Sequence, residues 1–209
     1  LNSEAISQLY FYTNLGTDFR IGLSEYSKWT SEPTIKNGIE YFSNFPSYEI
    51  FTAPNCNTAE GRVVVNKPSY LYGDRIENAI LQFSEGKCIS CQSDNERWNS
   101  IVLDSINNLY RIGEIALVSN DTPLAKMNRT FNSILLDENT GCHLALGYAY
   151  PKCIDIPENI LLQNGLNYYN FNSSEYHQDL VFGNDSITVE AKTRNKRKIL
   201  LMENGHWKI

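Results

Sequence analysis

The clearest pattern in the chain lies near its middle. Trp98, Ile101, Val102, Ser105, Ile106, Leu109 and Tyr110 recur at three- and four-residue steps, which is one face of a helix, and Gly113 stops it. Apolar runs at residues 79–83 and 114–119 flank that helix and carry the pattern of strands buried on both faces. Strand, helix and strand in this order predict a right-handed βαβ unit with a parallel strand pair. Before it, residues 3–15 read as a helix capped by Ser3. Residues 18–52 read as short strands and loops broken at Pro33, Gly38 and Pro46, and residues 62–66 as a β-branched strand ended by Pro68. After it, residues 133–137 predict a strand followed by a turn at 138–141, and residues 144–150 lead into Pro151. Residues 152–156 and 160–163 read as two strands joined by a turn at Pro157, and residues 186–190 and 199–202 as an antiparallel pair.

Composition adds bounds. The chain has 209 residues, 42% hydrophobic and 20% charged, enough for one moderate core plus an elaboration. No apolar run reaches the roughly 20 residues of a membrane-spanning helix. The net charge of −6 argues against nucleic acid as a partner, because phosphate binding needs a concentrated basic surface. One basic run, Lys192, Arg194, Lys196, Arg197 and Lys198, falls between two strand candidates and predicts a solvated hairpin tip. Sequons at Asn120, Asn128, Asn172 and Asn184 occur about as often as chance allows and say nothing of compartment. The chain opens on Leu1 followed by polar residues, as expected if an export or lipoprotein leader, a possible membrane tether, has been cut away; an arbitrary chain boundary explains it equally well.

Five cysteines exclude a complete disulfide framework. Two of them, Cys88 and Cys91, form a CxxC after the strand candidate at 79–83 and ahead of the helix. A thiolate is the reactive form, and a helix N-terminus, helped by Lys87, favours it, while Asp94 and Glu96 oppose it. The second cysteine at this spacing can resolve a mixed disulfide. A zinc site using Cys142 and Cys153 lacks knuckle spacing, and a Cys56, His143 and Asp155 triad lacks an activating helix.

Three segments carry a resemblance. Residues 79–91 resemble the strand, loop and CxxC-headed helix of the thioredoxin-like fold, specifically the TlpA and redoxin type of exported thiol–disulfide oxidoreductase. Residues 134–141 resemble that family's strand and turn, and residues 148–155 its approach to a cis-proline. The resemblance implies an α/β fold. A thioredoxin-like domain at 51–180, with a central mixed sheet and flanking helices, would follow an N-terminal extension at 1–50 and precede a C-terminal β-hairpin at 181–209. It implies Cys88 as the attacking thiol, Cys91 as the resolving one, and a substrate groove formed by Pro151 in the cis form, Tyr150 and Lys87. The implied partners are protein thiols or disulfides and a redox donor or acceptor protein, with no cofactor and no metal, in the periplasm or cell envelope. The competing expectation is a non-catalytic thioredoxin-fold binding or structural module of the cell envelope.

Overall fold

A computed structural model describes residues 1–31, 33–42, 44–71 and 73–209. The chain begins with strands β1 (Ile6–Tyr12), β2 (Asp18–Gly22), β3 (Thr34–Lys36), β4 (Ile39–Tyr41), β5 (Ile50–Thr52) and β6 (Glu60–Val64). The short hairpin β7 (Ser69–Leu71) and β8 (Asp74–Ile76) leads to β9 (Ile80–Ser84) and β10 (Lys87–Gln92). Helix α1 (Glu96–Leu103), β11 (Ile112–Leu117), α2 (Pro123–Lys126), α3 (Ile134–Glu138) and β12 (His143–Gly147) follow. The chain closes through α4 (Glu158–Asn164), β13 (His177–Val181), β14 (Thr188–Thr193), β15 (Lys198–Glu203) and β16 (His206–Trp207).

Two sheets hold the molecule. Eight strands run in the order β10-β9-β6-β2-β1-β14-β15-β16, and four in the order β13-β12-β11-β5. One apolar core joins them. Leu9, Phe11, Phe19, Ile21, Leu81 and Phe83 come from the large sheet, and Ile115, Leu117, Leu144, Leu146 and Leu180 from the small one. The outer face of the small sheet has a second core, where Phe51 and Ala116 pack with Leu161, Leu166 and Phe171. The first fifty residues supply β1 and β2 to the interior of the large sheet, and β1 pairs directly with β14 from the other end of the chain.

This architecture overturns the thioredoxin-like expectation of a mixed sheet built on a parallel βαβ unit. Every strand pairing among the described residues is antiparallel, and β9 and β11 lie in different sheets. The helix between them is real but short. Asn95 caps it through Trp98 N, and Asp104 ends it by turning its carboxylate onto Ile106 N.

Local chemistry explains the other departures. Residues 3–15 are mainly strand: a bulge between Ile6 and Gln8 puts Ile6 and Leu9 on one buried face at a three-residue step that imitates a helix. Residues 134–138 are helical because the Asp137 carboxylate accepts hydrogen bonds from Phe131 N and Ser133 N and folds the segment back on itself. Residues 160–163 belong to α4, with Leu161 buried and Leu162 exposed, so the apolar run there is one-sided. Residues 151–153 form a 3-10 turn. The basic run does cap the β14–β15 hairpin, where Arg197 pairs with Glu4. Asn172 is buried and donates its amide to the carbonyls of Asn108, Arg111 and Gly147, which makes this sequon asparagine a structural strut.

Candidate metal centre

The cysteine pair sits on a strand. Glu85 and Gly86 both adopt positive φ (50° and 77°), as a tight two-residue hairpin turn requires, and return the chain from β9 into β10. Cys88 pairs with Phe83 and Cys91 with Leu81, and a bulge between Cys88 and Ser90 turns both thiols to the buried face. The hydrogen-bonded Cys88 thiol, then burial, pushes the Cys91 thiol upward, so it stays protonated and unreactive. Neither cysteine heads a helix. Lys87 is an exposed residue at the start of this edge strand. Pro151 follows a trans peptide, since the cis bond among the described residues is Phe45–Pro46, and it lies with Tyr150 beside the small sheet. The structure therefore separates Cys88, Cys91 and Lys87 from Tyr150 and Pro151. Cys56 and Asp155 do not meet His143 either: Cys56 Sγ faces Asn57, and Asp155 N binds Tyr26 O.

Another set of side chains converges instead. In the small sheet Ala116 pairs with Phe51 and His143, while Ala145 pairs with Glu114 and Asp179, and Gly147 with His177. Strand side chains alternate between faces, so this register sets Glu114, His143, His177 and Asp179 on one face together with Phe51. Glu49, two residues before Phe51, joins them. Ala116, Ala145 and Gly147 leave space between the larger groups. Glu138, at the end of α3, is brought alongside by Asn139, whose side-chain oxygen accepts from Tyr48 N next to Glu49.

Two donor trios result, and they share Glu114. The ligand atoms of Glu49, Glu114 and His143 lie within 4.8 Å of one another, as do those of Glu114, His177 and Asp179. His143 Nε2 is 3.0 Å from Glu49 Oε2 and 3.8 Å from Glu114 Oε1, and His177 Nε2 is 3.3 Å from Asp179 Oδ1. Behind each ring a backbone carbonyl faces Nδ1: Gly141 O at 3.3 Å from His143 and Tyr148 O at 2.8 Å from His177. A backbone carbonyl behind Nδ1 holds each ring with Nε2 turned toward the carboxylates, the arrangement that orients metal-bound histidines.

The electrostatics fit cations in the same place. Glu49, Glu114, Glu138 and His143 are all buried. Burial pushes Glu114 up to about 8 and Glu138 up to about 9. Burial alone would lower the two histidines, yet the surrounding carboxylates raise His143 to about 10 and His177 to about 9. Burial works against ionisation of Asp179 too, but the hydrogen bond from His177 holds it below the usual carboxylate range. Buried His143 Nε2 makes no well-directed hydrogen bond, and Glu49 Oε2 faces it at 3.0 Å as an ion pair. An orphaned imidazole nitrogen among carboxylate oxygens fits a divalent ion with mixed N/O preference, such as Zn²⁺ or Mn²⁺.

A cleft of about 340 Å³ opens onto these groups, lined also by Thr34, Tyr41, Asn44, Phe51, Tyr150 and Lys152. The Tyr150 ring lies 4.3 Å from that of His177, and burial pushes its phenol upward.

The model of the family described as thermophilic metalloprotease (M29) matches residues 1–207. The chain belongs to the peptidase M29 family. It is 31% identical to aminopeptidase PepS of Streptococcus thermophilus over 215 residues, covering all of this chain and 51% of that protein. Aminopeptidase T of Thermus aquaticus is 31% identical over 214 residues, with the same coverage. The structure of AmpT from Thermus thermophilus superposes with a TM-score of 0.90 at 30% identity, covering 100% of this chain and 51% of that one. A 2,5-dihydroxypyridine dioxygenase from Pseudomonas putida shares the fold alone, with a TM-score of 0.58 at 15% identity over 99% of this chain and 56% of that one. The M29 chain described here spans about half the length of the curated relatives it matches.

M29 membership corrects the redoxin assignment, and with it thiol–disulfide exchange, the thiol or disulfide partners and the binding module on a thioredoxin fold. The donor residues left a faint trace in the sequence. Glu114 is a charge inside an apolar strand run, and His177 and Asp179 stand two apart, on one face of a strand. Glu49 and Glu138 left none, since each acquires its meaning only beside the others.

Proposed function

We propose that this M29 chain carries a dinuclear metal centre that hydrolyses the N-terminal peptide bond of peptides. The reading rests on one observation: Glu114 belongs to both donor trios on a single sheet face. Glu49, Glu114 and His143 would hold one divalent ion, and Glu114, His177 and Asp179 the second. Such a pair supplies Lewis-acid charge and a water acidic enough to attack at neutral pH. The names of the relatives, all aminopeptidases, support this reaction class.

The chain's own residues do the rest. Gly141 O and Tyr148 O fix the two imidazoles so that no reorganisation is needed on binding. Glu138 borders the trios without belonging to either, and it lines the cleft. It is placed to take the proton that water gives up on adding to the carbonyl carbon and to return it to the departing amine. Tyr150, packed on His177, offers a phenolic donor to the carbonyl oxygen. Phe51 and Tyr41 form the apolar walls that exclude bulk water.

The test is elemental analysis of the protein after dialysis against Zn²⁺ or Mn²⁺, paired with release of leucine from leucine peptides. Two ions per chain and metal-dependent release support the proposal. A chain that binds no divalent ion ends it.

A further inference from the structure

Glu49 and Glu138 are the two cleft carboxylates that no strand register places. Glu49 stands one residue before Ile50, where β5 pairs with Leu117 of β11, and Glu138 ends a helix of 5 residues. A helix that short does not hold itself together. The Asp137 carboxylate fixes its start by accepting from Phe131 N and Ser133 N. Its end is fixed by Asn139, which is fully buried. Asn139 Nδ2 donates to Leu135 O at 3.0 Å, and Oδ1 accepts from Tyr48 N, 91 residues away in the chain. The two bonds settle which way the amide faces, because turning it over would set N–H against N–H and oxygen against oxygen.

Asn139 follows Glu138, and Tyr48 precedes Glu49. One side-chain amide therefore ties the carboxylate that moves the proton to a carboxylate that holds an ion. We infer that Asn139 is a positioning residue, which sets Glu49 against His143 in the first donor trio and keeps Glu138 at the border of both trios. The inference rests on the aminopeptidase reading of this cleft and adds to it a residue that is not part of the cleft lining. Loss of the amide should act on ion binding and turnover together, and on one trio before the other. The second trio is less exposed to that loss, since Glu114, His177 and Asp179 stand on the paired strands β11 and β13.

The experiment titrates Zn²⁺ into the metal-free protein by calorimetry and follows leucine release from leucine peptides. Asn139→Leu keeps the volume and deletes both hydrogen bonds, whereas Asn139→Asp keeps an oxygen facing Tyr48 N. In Asn139→Leu the affinity for one ion should fall about 10- to 100-fold while the other changes by less than about threefold. The weakened ion should be the one that His143→Ala disturbs. Turnover should fall by a similar factor in kcat with KM within about twofold, the mark of a group that acts in the transition state. Asn139→Asp should recover most of both losses. Asn139→Ala gives the same readings if the leucine variant does not fold. Hydrogen exchange at the Tyr48 amide, measured without metal, should be at least about tenfold faster in Asn139→Leu than in the unmodified protein. Both ions weakened equally, or neither, in a folded variant overturns the inference, and so does Tyr48 exchange that the substitution leaves unchanged. Ions bound and peptides cleaved alike with and without Asn139 defeat the positioning role alone. Unmodified protein that binds no Zn²⁺ defeats the aminopeptidase reading, and the positioning role with it.

Discussion

His143 Nε2 and Glu49 Oε2 lie 3.0 Å apart with no well-directed hydrogen bond between them, both almost wholly buried, and Glu49 also lines the cleft. A buried polar atom left without a partner costs about 1–3 kcal/mol, so such an atom marks a place where something else binds. Here the surrounding donors say what: four carboxylates and two imidazoles gathered over one face of the small sheet.

Because Glu114 serves both trios, its loss should empty the centre. Glu114→Gln is expected to bind no ion tightly and to reduce peptide hydrolysis at least 100-fold, whereas His143→Ala should disturb the ion held with Glu49 more than the other. Metal stoichiometry by mass spectrometry decides it. Two ions retained by Glu114→Gln would refute the shared-ligand arrangement.

Removing the ions should also weaken the fold, since buried carboxylates then face one another without compensation. An ion present at about 1,000 times its dissociation constant adds about 4 kcal/mol of stability. In a chain of this size that corresponds to a melting point lowered by about 10 °C on chelation. A melting curve unchanged by EDTA would contradict the centre.

Ala145 stands between Glu114 and Asp179 in the sheet register and is fully buried. Ala145→Leu is expected to wedge the two carboxylates apart, at a cost of about 1–3 kcal/mol in stability. Circular dichroism should report a folded sheet while metal binding falls at least tenfold. Unaltered metal affinity in a folded variant would show that the small residues are not what makes room.

The cysteine pair should matter to packing alone. Cys91 is buried on β10, outside the cleft, so Cys91→Ala should cost about 1 kcal/mol and leave metal content unchanged. Cys88→Ser should likewise keep peptide hydrolysis, read by leucine release. Hydrolysis lost with the thiol, in a variant that still binds metal, would reopen a role for the pair.

Several pieces of the fold were legible residue by residue. The β-branched run around Val63, the apolar run around Leu81, the strand containing Ile115 and the hairpin of Val189 and Leu201 all lie in strands, and Trp98 does begin a helical face. The misreadings share a cause. Cys88 and Cys91, like Ile6 and Leu9, are three apart and face one way because a bulge adds a residue to the strand, and nothing local distinguishes that from a helical turn. The CxxC, the turn-like segment at 138–141 and Pro151 then formed a consistent but mistaken picture.

What the sequence determined by itself was where apolar runs lie, how short they are, and that charges such as Glu114 interrupt them. Which runs pair, in what direction, and in which of two sheets was decided only by the tertiary structure, because strand pairing joins segments as distant as β1 and β14. The metal centre belongs wholly to that second kind. Its donors run from Glu49 to Asp179 and become one site only when the register of four antiparallel strands turns them to a common face. Side-chain direction in a sheet depends on partners that a reading along the chain does not contain.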